Sequence, residues 1–379
     1  MKTKIENGQI KELATRVALE LGAGAVRVVS ASRDRLTEDR MAKALGRGDL
    51  ATWRYDAEYA RRASDPSATL AGARSVICIA VPYAADSPRT NAPLRGRVSS
   101  YAWSADYHRG LRALLNAVAK EIDGAAGAPV TAIACDTRPL AERAVAARAG
   151  LGWIGKHTNV IAPALGSFVF LGEIVTTLDL PADEPLGKSC GSCARCVDAC
   201  PTSALRGDYT IDATRCISDL TQRTDGIPRT MRPLIGDWIW GCDICQTVCT
   251  PNARAAEGAP PRGVMPEADA ARPPLVSLLQ LRSAGFKQRY RDTAMGWRGA
   301  AVLRRNAAVA LGNALDRSAV GALIESLQGD PHPMVRSHAA WALGRIGSPS
   351  AVDALRRRQA AEQAEAVRAE IGTALEQFE

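Results

Sequence analysis

The amino-acid sequence predicts an α+β protein built from three successive parts: a mixed domain of helices and strands, a cysteine-rich segment and a terminal array of helices. Three observations predict this architecture. Short apolar runs alternate with helix-like stretches up to about residue 180, eight of the 10 cysteines fall between Cys190 and Cys249, and the end of the chain repeats itself. A chain of 379 residues is long enough for two or three domains.

The first part contains two predicted buried strands, at residues 74–81 (RSVICIAV) and 167–177 (SFVFLGEIVTT). Both are short apolar runs rich in β-branched residues, which is typical of strands that lie inside a sheet. Residues 107–122 and 140–149 between them have a helical composition. This mixture predicts an α/β or an α+β domain, and the pattern leaves both open.

The composition and charge of the chain bear on its partners and on its location in the cell. The net charge of +8 favours a polyanionic partner such as nucleic acid, although an Arg-rich composition without any such function is an equal alternative. No apolar run approaches the ~20 residues that span a bilayer. No apolar core follows the charged residues 1–10, so a signal peptide is not expected. The prediction is a cytoplasmic protein with no membrane segment.

The cysteines follow a metal-binding pattern. The first four are spaced C-x2-C-x2-C-x3-C and are followed by Pro201, which is the bacterial ferredoxin run. A second set is spaced C-x2-C-x3-C and is preceded by one more cysteine. Thiolates are soft ligands suited to iron–sulfur clusters, so we expect two [4Fe-4S] clusters. The predicted ligands are Cys190, Cys193, Cys196, Cys200, Cys216, Cys242, Cys245 and Cys249.

The pairing of these ligands follows the two-cluster ferredoxin pattern, in which the fourth cysteine of the run binds the other cluster. Structural zinc is the alternative, but zinc sites favour two C-x2-C pairs. Cys78 and Cys135 stand in apolar surroundings and are expected in the core. The predicted sets are Cys190, Cys193, Cys196 and Cys249 on one cluster, and Cys200, Cys216, Cys242 and Cys245 on the other.

The C-terminal part carries an internal repeat with a period of 32 residues. Ala310-Leu-Gly recurs at Ala342-Leu-Gly, residues 319–323 resemble 351–355, and arginines recur at 304, 336 and 368. This period is typical of a HEAT-like α-helical repeat, with an Ala-rich helical tail as the alternative. The predicted segments are 1–180, 181–255 (the ferredoxin-like two-cluster domain), a linker at 256–296, and the repeat at 297–379.

One carboxyl in the first part is a candidate proton donor. Asp136 directly follows the apolar run at 130–135, which places it at a predicted strand end. A carboxyl in a partly dry cleft can hold a proton for delivery. The residues alone slightly favour a different role, a helix N-cap before Pro139.

Taken together, the motifs resemble the epoxyqueuosine reductase family over nearly the whole chain and in the correct order. The resemblance rests on the ferredoxin run, the terminal repeat and five short motifs. These motifs are DYH at 106–108, D-x3-L-x-E-R at 136–143, AGLGWIGK at 149–156, RCISDLTQ at 215–222 and GCDICQTVC at 241–249.

The resemblance implies a cobalamin-dependent enzyme that reduces epoxyqueuosine to queuosine at the wobble position of the tRNA anticodon, the last step of queuosine biosynthesis. Residues 1–180 would form an α/β cobalamin-binding domain, and electrons would arrive through the two clusters. Asp136 occupies the family's proton-donor position. The implied cobalamin contacts are Arg62, Ser99, Asp136, Val160, Leu171, Ser218 and Asp243, while His108 and His157 are expected in structural or substrate-contact roles.

The implied partner is the anticodon stem-loop of tRNA, and the protein is expected to be a monomer; the electron donor is not identified. Candidate phosphate contacts on the repeat are Arg304, Arg305, Arg336 and Arg345, with a solvated helix face as the alternative. Two other functions remain open from the residues: a reductive dehalogenase-like cobalamin and iron–sulfur reductase of a small molecule, and a plain electron carrier.

Overall fold

The computed structural model describes residues 6–83, 92–255 and 268–378, and the chain divides into two compact units. Unit 1 comprises Met1–Asp86, Asp106–Thr214 and Ile244–Met265; unit 2 comprises Ser87–Ala105, Arg215–Asp243 and Pro266–Glu379. Because each unit is assembled from separate stretches of chain, the four segments predicted along the sequence remain predictions.

The regular elements of the described residues are numbered in chain order. The strands are β1 Ala25–Ser30, β2 Ser75–Pro82, β3 Arg97–Val98, β4 Thr131–Ala134, β5 Trp153–Ile154, β6 Val160–Ile161, β7 Val169–Thr176 and β8 Trp238–Trp240. The helices are α1 Asn7–Glu20, α2 Arg35–Gly46, α3 Ala57–Ala63, α4 Tyr107–Ala126, α5 Glu142–Arg148, α6 Arg195–Asp198, α7 Ile217–Gln222, α8 Arg232–Ile235, α9 Ile244–Thr247, α10 Thr250–Ala255, α11 Ala268–Ala271, α12 Leu275–Leu279, α13 Ser283–Arg289, α14 Ala300–Ala314, α15 Val320–Gly329, α16 Pro333–Ile346, α17 Pro349–Ala361 and α18 Glu365–Leu375.

Unit 1 is built on a four-stranded sheet in the order β1-β2-β7-β4, and every neighbouring pair is antiparallel. The two strands predicted from apolar runs are confirmed as β2 and β7, and the two predicted helices are confirmed as α4 and α5. Antiparallel pairing makes this domain the α+β alternative of the two that the sequence left open.

The two faces of this sheet are covered by different helices. Helix α4 packs on one face, where Leu115 approaches Gly172 so closely that a Cβ there would lie 2.9 Å from its Cδ1. Helix α5 packs on the other face, against Cys78 and Val175. Cys78 is fully buried, as expected for a core residue. Since side chains alternate along a strand, the α5 face of β7 also receives Glu173.

Unit 2 carries the predicted helical repeat, which is confirmed as α14 to α18. The repeated glycines explain how its helices approach each other. A Cβ at Gly312 would lie 2.8 Å from the Cα of Ala342, and a Cβ at Gly344 would lie 2.8 Å from the Cβ of Ala374. Only glycine fits both contacts, so the repeated Ala-Leu-Gly marks where α14 meets α16 and where α16 meets α18.

The predicted linker lies only partly within the described residues. Of the predicted linker at 256–296, residues 256–267 lie outside the described residues, and the remainder contains α11, α12 and α13. Within the described ranges, no helix has the length and apolar character needed to cross a bilayer.

Candidate active site and cluster ligands

Asp136 lies just beyond the end of β4 in a strained backbone conformation. Its φ is 55°, in the left-handed region that non-glycine residues seldom adopt. Its backbone N–H donates a hydrogen bond to the Oε1 atom of Glu142, which helps hold this conformation. The N-cap of α5 is Ala141, so the helix-cap alternative for Asp136 is wrong. Backbone strain of this kind costs about 1–3 kcal/mol and is common at functional sites.

Asp136 forms a hydrogen-bonded chain with two residues that the DYH motif supplies. His108 lies in the first turn of α4, and its Nδ1 is 2.6 Å from Oδ1 of Asp106. Its Nε2 is 3.0 Å from Oδ2 of Asp136. Burial opposes protonation, but the hydrogen bonds to Asp136 and Asp106 outweigh it and raise the pKa of His108. The protonated form of the His108 ring is therefore favoured beside the Asp136 carboxyl.

The carboxyl of Asp136 is open to solvent. The Asp136 side chain is 60% exposed, so a ligand can reach its carboxyl. Arg143 is exposed as well and donates from Nη1 to the carbonyl of Thr158 at 2.9 Å. Nevertheless, crowding by protein atoms lowers the pKa of Arg143 through loss of hydration.

Of the predicted cobalamin contacts of unit 1, Val160 is buried, Leu171 is partly buried, and Arg62 and Asp136 are exposed. Val160 and Leu171 belong to the apolar cluster between the sheet and α5. Leu171 lies two residues before Glu173, which pairs with Ala134, so it is level with the strand end that carries Asp136. Arg62 is exposed on α3. An apolar wall beside exposed polar groups fits a large, partly apolar cofactor.

The remaining predicted cobalamin contacts belong to unit 2. Ser99 donates its hydroxyl hydrogen to Oδ1 of Asp243, and the backbone N–H of Ser100 donates to Oδ2 at 2.7 Å. Burial raises the pKa of Asp243, and these hydrogen bonds oppose the increase. The structure thus brings Ser99 and Asp243 together. Ser218 lies on α7, where its hydroxyl accepts a hydrogen bond from Gln222 at 3.1 Å.

His157 lies apart from the Asp136 chain. It is buried, and its Nδ1 accepts a hydrogen bond from the backbone N–H of Asn159 at 3.2 Å. Burial lowers its pKa to about 4, so the ring is neutral at neutral pH. This geometry is consistent with the structural role expected from the sequence.

The four cysteines predicted to hold the first cluster are neighbours in unit 1. Burial, together with the nearby Cys190, Cys196 and Cys193, raises the pKa of Cys249 to about 11. Bound iron would favour the thiolate form of these four cysteines.

Cys200, predicted for the second cluster, has a sulfur atom that accepts hydrogen bonds. The backbone N–H of Ala204 lies 3.3 Å from its Sγ, and the Thr202 hydroxyl lies 3.5 Å away. Burial opposes ionisation, but these hydrogen bonds outweigh it and lower the pKa of Cys200. Hydrogen bonds to sulfur are a known means of tuning iron–sulfur centres. Cys245 also belongs to unit 1, and Cys216 and Cys242 belong to unit 2.

The arginines proposed as phosphate contacts are mostly unavailable. Arg304 forms an ion pair with Asp330 at 2.6 Å, and Arg336 forms one with Glu362 at 2.8 Å. Arg305 is fully buried and donates to backbone carbonyls within unit 2. The predicted tRNA role is therefore wrong for these three. Of the four, Arg345 alone is exposed, with its guanidinium 5.4 Å from the ring centre of Trp341.

Comparison with known proteins places this geometry in a family. Residues 63–137 match a family model described as epoxyqueuosine reductase QueG, residues 189–252 match a 4Fe-4S double cluster binding domain, and residues 299–376 match HEAT repeats. An epoxyqueuosine reductase from Bacillus anthracis is 38% identical over 320 residues, which cover 83% of each chain. The chain belongs to the epoxyqueuosine reductase family.

Solved structures of the family agree over nearly the full length. An epoxyqueuosine reductase with an epoxyqueuosine-modified tRNA-Tyr stem loop has a TM-score of 0.92 at 33% identity, covering 98% of this chain and 99% of that one. The Bacillus subtilis enzyme with its catalytic aspartate loop swung out of the active site has a TM-score of 0.90 at 32% identity, with the same coverage. This family member is thus an oxidoreductase with a double iron–sulfur cluster domain.

Two acidic residues of this reductase were not singled out from the sequence. Glu142 lies within the D-x3-L-x-E-R motif, but its contact with the backbone of Asp136 depends on the turn between β4 and α5. Glu173 is fully buried in β7. The sequence does indicate Glu173, because it is the single acid in the apolar run at 167–177.

Proposed function

We propose that this chain reduces the epoxide of epoxyqueuosine to queuosine at the wobble position of the tRNA anticodon, as a cytoplasmic monomer, in the final step of queuosine biosynthesis. The observation that carries the proposal is the likeness, over 98% of the chain, to an enzyme solved with an epoxyqueuosine-modified stem loop. The net charge of +8 is consistent with a tRNA substrate.

We propose cobalamin and two [4Fe-4S] clusters as the cofactors. When bound, cobalamin and the clusters would supply the two electrons that the removal of the epoxide oxygen requires. In unit 1, Val160 and Leu171 offer an apolar wall, Arg62 offers a cation, and Asp136 offers an exposed carboxyl beside that wall. In unit 2, Ser99, Ser218 and Asp243 are the proposed hydrogen-bonding contacts of cobalamin.

In this mechanism Asp136 delivers a proton to the oxygen that leaves as water. Three features support that role: its exposed carboxyl, its strained backbone and its hydrogen bond to His108. Asp106 holds Nδ1 of His108, which directs Nε2 toward Asp136. His108 keeps a proton within 3.0 Å of the Asp136 carboxyl, so Asp136 can be reprotonated from within the site.

The cluster assignment is tested by removing one predicted ligand. Cys216→Ala in the anaerobically reconstituted protein is expected to lose the iron and sulfide of one cluster while keeping the other. Cys78→Ala, which changes a buried cysteine of the sheet, is the control and should keep both. Two intact clusters in Cys216→Ala, by iron count and electron paramagnetic resonance, would break the proposed pairing.

The reaction is tested by anaerobic turnover of tRNA that contains epoxyqueuosine, with cobalamin and a low-potential reductant. The tRNA is then digested and its nucleosides are weighed by mass spectrometry. Loss of one oxygen from the modified nucleoside, dependent on cobalamin, is expected. If both clusters are present and reduced but the nucleoside is unchanged, the substrate assignment fails and a small-molecule substrate takes its place.

A further inference from the structure

A carboxylic acid is buried within the apolar interior of unit 1. Glu173 is 0% exposed and points to the α5 face of the sheet, in the same row as Leu171 and Val175. Its cross-strand neighbours are Cys78 on β2 and Ala134 on β4. An acid in this position has lost its hydration to apolar surroundings.

Nothing in the described residues compensates for that loss. Neither carboxyl oxygen of Glu173 has a hydrogen-bond partner among them. A carboxylate without water, a cation or a donor is far more costly than the neutral acid. Burial, reinforced by the negative charge of Glu142, raises the pKa of Glu173 well above its ordinary value. The neutral acid is therefore the favoured form of Glu173.

Glu142 is a second acid, and its side chain contacts the backbone of the candidate proton donor. It begins α5, which packs against β7, and its Oε1 accepts the hydrogen bond from the backbone N–H of Asp136. Burial, together with the charge of Asp136, raises the pKa of Glu142 to about 7. At neutral pH Glu142 holds a proton for a substantial part of the time.

The charged groups around Glu142 leave this proton in place. The hydrogen bond from the Asp136 backbone and the cations Arg143 and His108 favour ionisation, and burial outweighs them. Strands β5 and β6, which also pack on α5, carry only apolar side chains; the Arg27 side chain of β1 is exposed and donates to the carbonyl of Val26 at 2.8 Å. Other titratable groups that sense Glu142 are Tyr59 on α3, Cys78 on β2 and Cys135.

The proposed reaction needs more protons than Asp136 carries. When an epoxide becomes an alkene, both of its C–O bonds break, and the oxygen leaves as water after gaining two electrons and two protons. The electrons come from the reductant through the clusters. One proton is available from His108, whose Nε2 lies 3.0 Å from the Asp136 carboxyl. The second proton needs another source within the site.

We propose that Glu142 stores this second proton directly behind Asp136. Glu173 stays neutral, so the two buried acids together release only one proton. The proposal rests on the proposed function and extends it. The O–H bond of Glu142 breaks and an O–H bond forms on the Asp136 carboxylate, which passes the proton to the departing oxygen. Glu173 keeps its own proton, because no described group would stabilise a second negative charge. Glu142 is a positioning residue that acts through Asp136.

The first test needs no substrate and therefore does not depend on the proposed function. Infrared difference spectra of the reconstituted holoenzyme are recorded between pH 5.5 and about pH 8.5, a range chosen to bracket the titration of Glu142. We expect a protonated-carboxyl band that disappears with a midpoint near neutral pH. This band should be absent in Glu142→Gln. A second band that persists across the range should be absent in Glu173→Gln. A titrating band that survives in Glu142→Gln overturns the proposal.

The second test uses turnover. Glu142→Gln keeps an oxygen that can accept the Asp136 hydrogen bond but holds no transferable proton. We expect kcat to fall roughly tenfold to a hundredfold, with the KM for tRNA unchanged. In the wild-type enzyme kcat should decline as the pH rises through neutrality, and this decline should vanish in the variant.

The control is Glu121→Gln, which changes an exposed acid on α4. It should retain both the wild-type rate and the wild-type pH profile. Glu142→Gln with an unchanged kcat and an unchanged pH profile would overturn the proposal. If no variant and no wild-type preparation turns over, the proposed function has failed, and the infrared titration still decides whether Glu142 stores a proton.

Discussion

The helical repeat and the sheet domain bury ionisable side chains in opposite ways. In the repeat, Arg304 pairs with Asp330 and Arg336 pairs with Glu362, and each partner lies 26 residues further along the chain. In the sheet domain, Glu173 is equally buried, but its carboxyl has no hydrogen-bond partner among the described residues. The free-energy cost of burying an ionisable group is thus offset by an ion pair in the repeat, whereas in the sheet domain no described group offsets it.

This difference distinguishes buried charges that stabilise the fold from buried acids that can exchange a proton. A buried ion pair keeps both groups charged and ties two helices together. A buried acid without a partner stays protonated and is poised to respond to a charge change nearby. Arg304 and Arg336 are therefore signs of packing, whereas the acids near Asp136 are signs of proton chemistry.

The largest effect is expected at Asp136, the proposed proton donor. Asp136→Asn keeps the size and polarity of the side chain but removes its acid. We expect kcat to fall about 10²–10⁴-fold, because a positioned general acid contributes this much. Iron content and cobalamin binding, followed by visible spectroscopy, should be unchanged. Wild-type turnover in the variant would remove Asp136 from the donor role.

The repeat should respond to the loss of a pairing partner by losing stability. The Glu362 side chain is 0% exposed and binds both Arg336 and Arg358. Glu362→Gln leaves two buried or half-buried cations without their anion, and we expect a loss of about 3 kcal/mol. The measurement is thermal unfolding by circular dichroism, with Glu365→Gln, an exposed acid at the start of α18, as the control.

The stability of the repeat should also depend on pH, through the ionisation of Glu362. The hydrogen bond from Arg336 holds the pKa of Glu362 at about 2, below that of an unfolded glutamate at about 4.3. Its contribution to stability is therefore present above about pH 4.3 and lost as the pH falls toward 2. In Glu362→Gln this acid-sensitive part should be missing. An identical acid-unfolding profile in both proteins would contradict the pairing.

A smaller effect of opposite sign is expected in the sheet. The pKa of Glu173 is raised in the folded state, so its contribution to stability is present at low pH and lost as the pH rises. Glu173→Leu places an apolar side chain among apolar neighbours and should stabilise the fold by about 1–3 kcal/mol. The gain should be larger at pH 9 than at pH 6 in thermal unfolding. A variant less stable at both values would show that Glu173 is compensated.

The smallest effect concerns the exposed arginines of the repeat. Arg356 and Arg357 lie exposed on α17, unlike the buried Arg304. If the repeat faces tRNA phosphates, the double change to alanine should weaken tRNA binding a few-fold and reduce the salt slope by about 1 per lost contact. Stability should be unaffected. Arg16→Ala, at an exposed position on α1, is the control. Unchanged affinity and salt slope would exclude these two arginines as phosphate contacts.

Much of the site was predictable, because some chemistry depends on spacing along the chain. The ferredoxin run from Cys190 to Cys200 can be read directly, since neighbouring thiolates must converge on one cluster. Strands β2 and β7 were predictable because a fully buried strand is apolar at nearly every position. The role of Asp136 was ambiguous, since a helix cap and a proton donor look alike until the backbone is known.

The sequence by itself determined the cluster ligands to test, the helical repeat and the position of Asp136 after a strand, because each depends on local spacing or periodicity. Only the tertiary structure decided which charges are compensated. Arg304 and Arg336 looked like surface arginines, and Glu173 looked like a residue of an ordinary strand. Burial and pairing depend on groups that lie far away along the chain, such as Asp330 for Arg304 and α5 for Glu173. The free energy of a charge is set by those neighbours, and the fold alone brings them together.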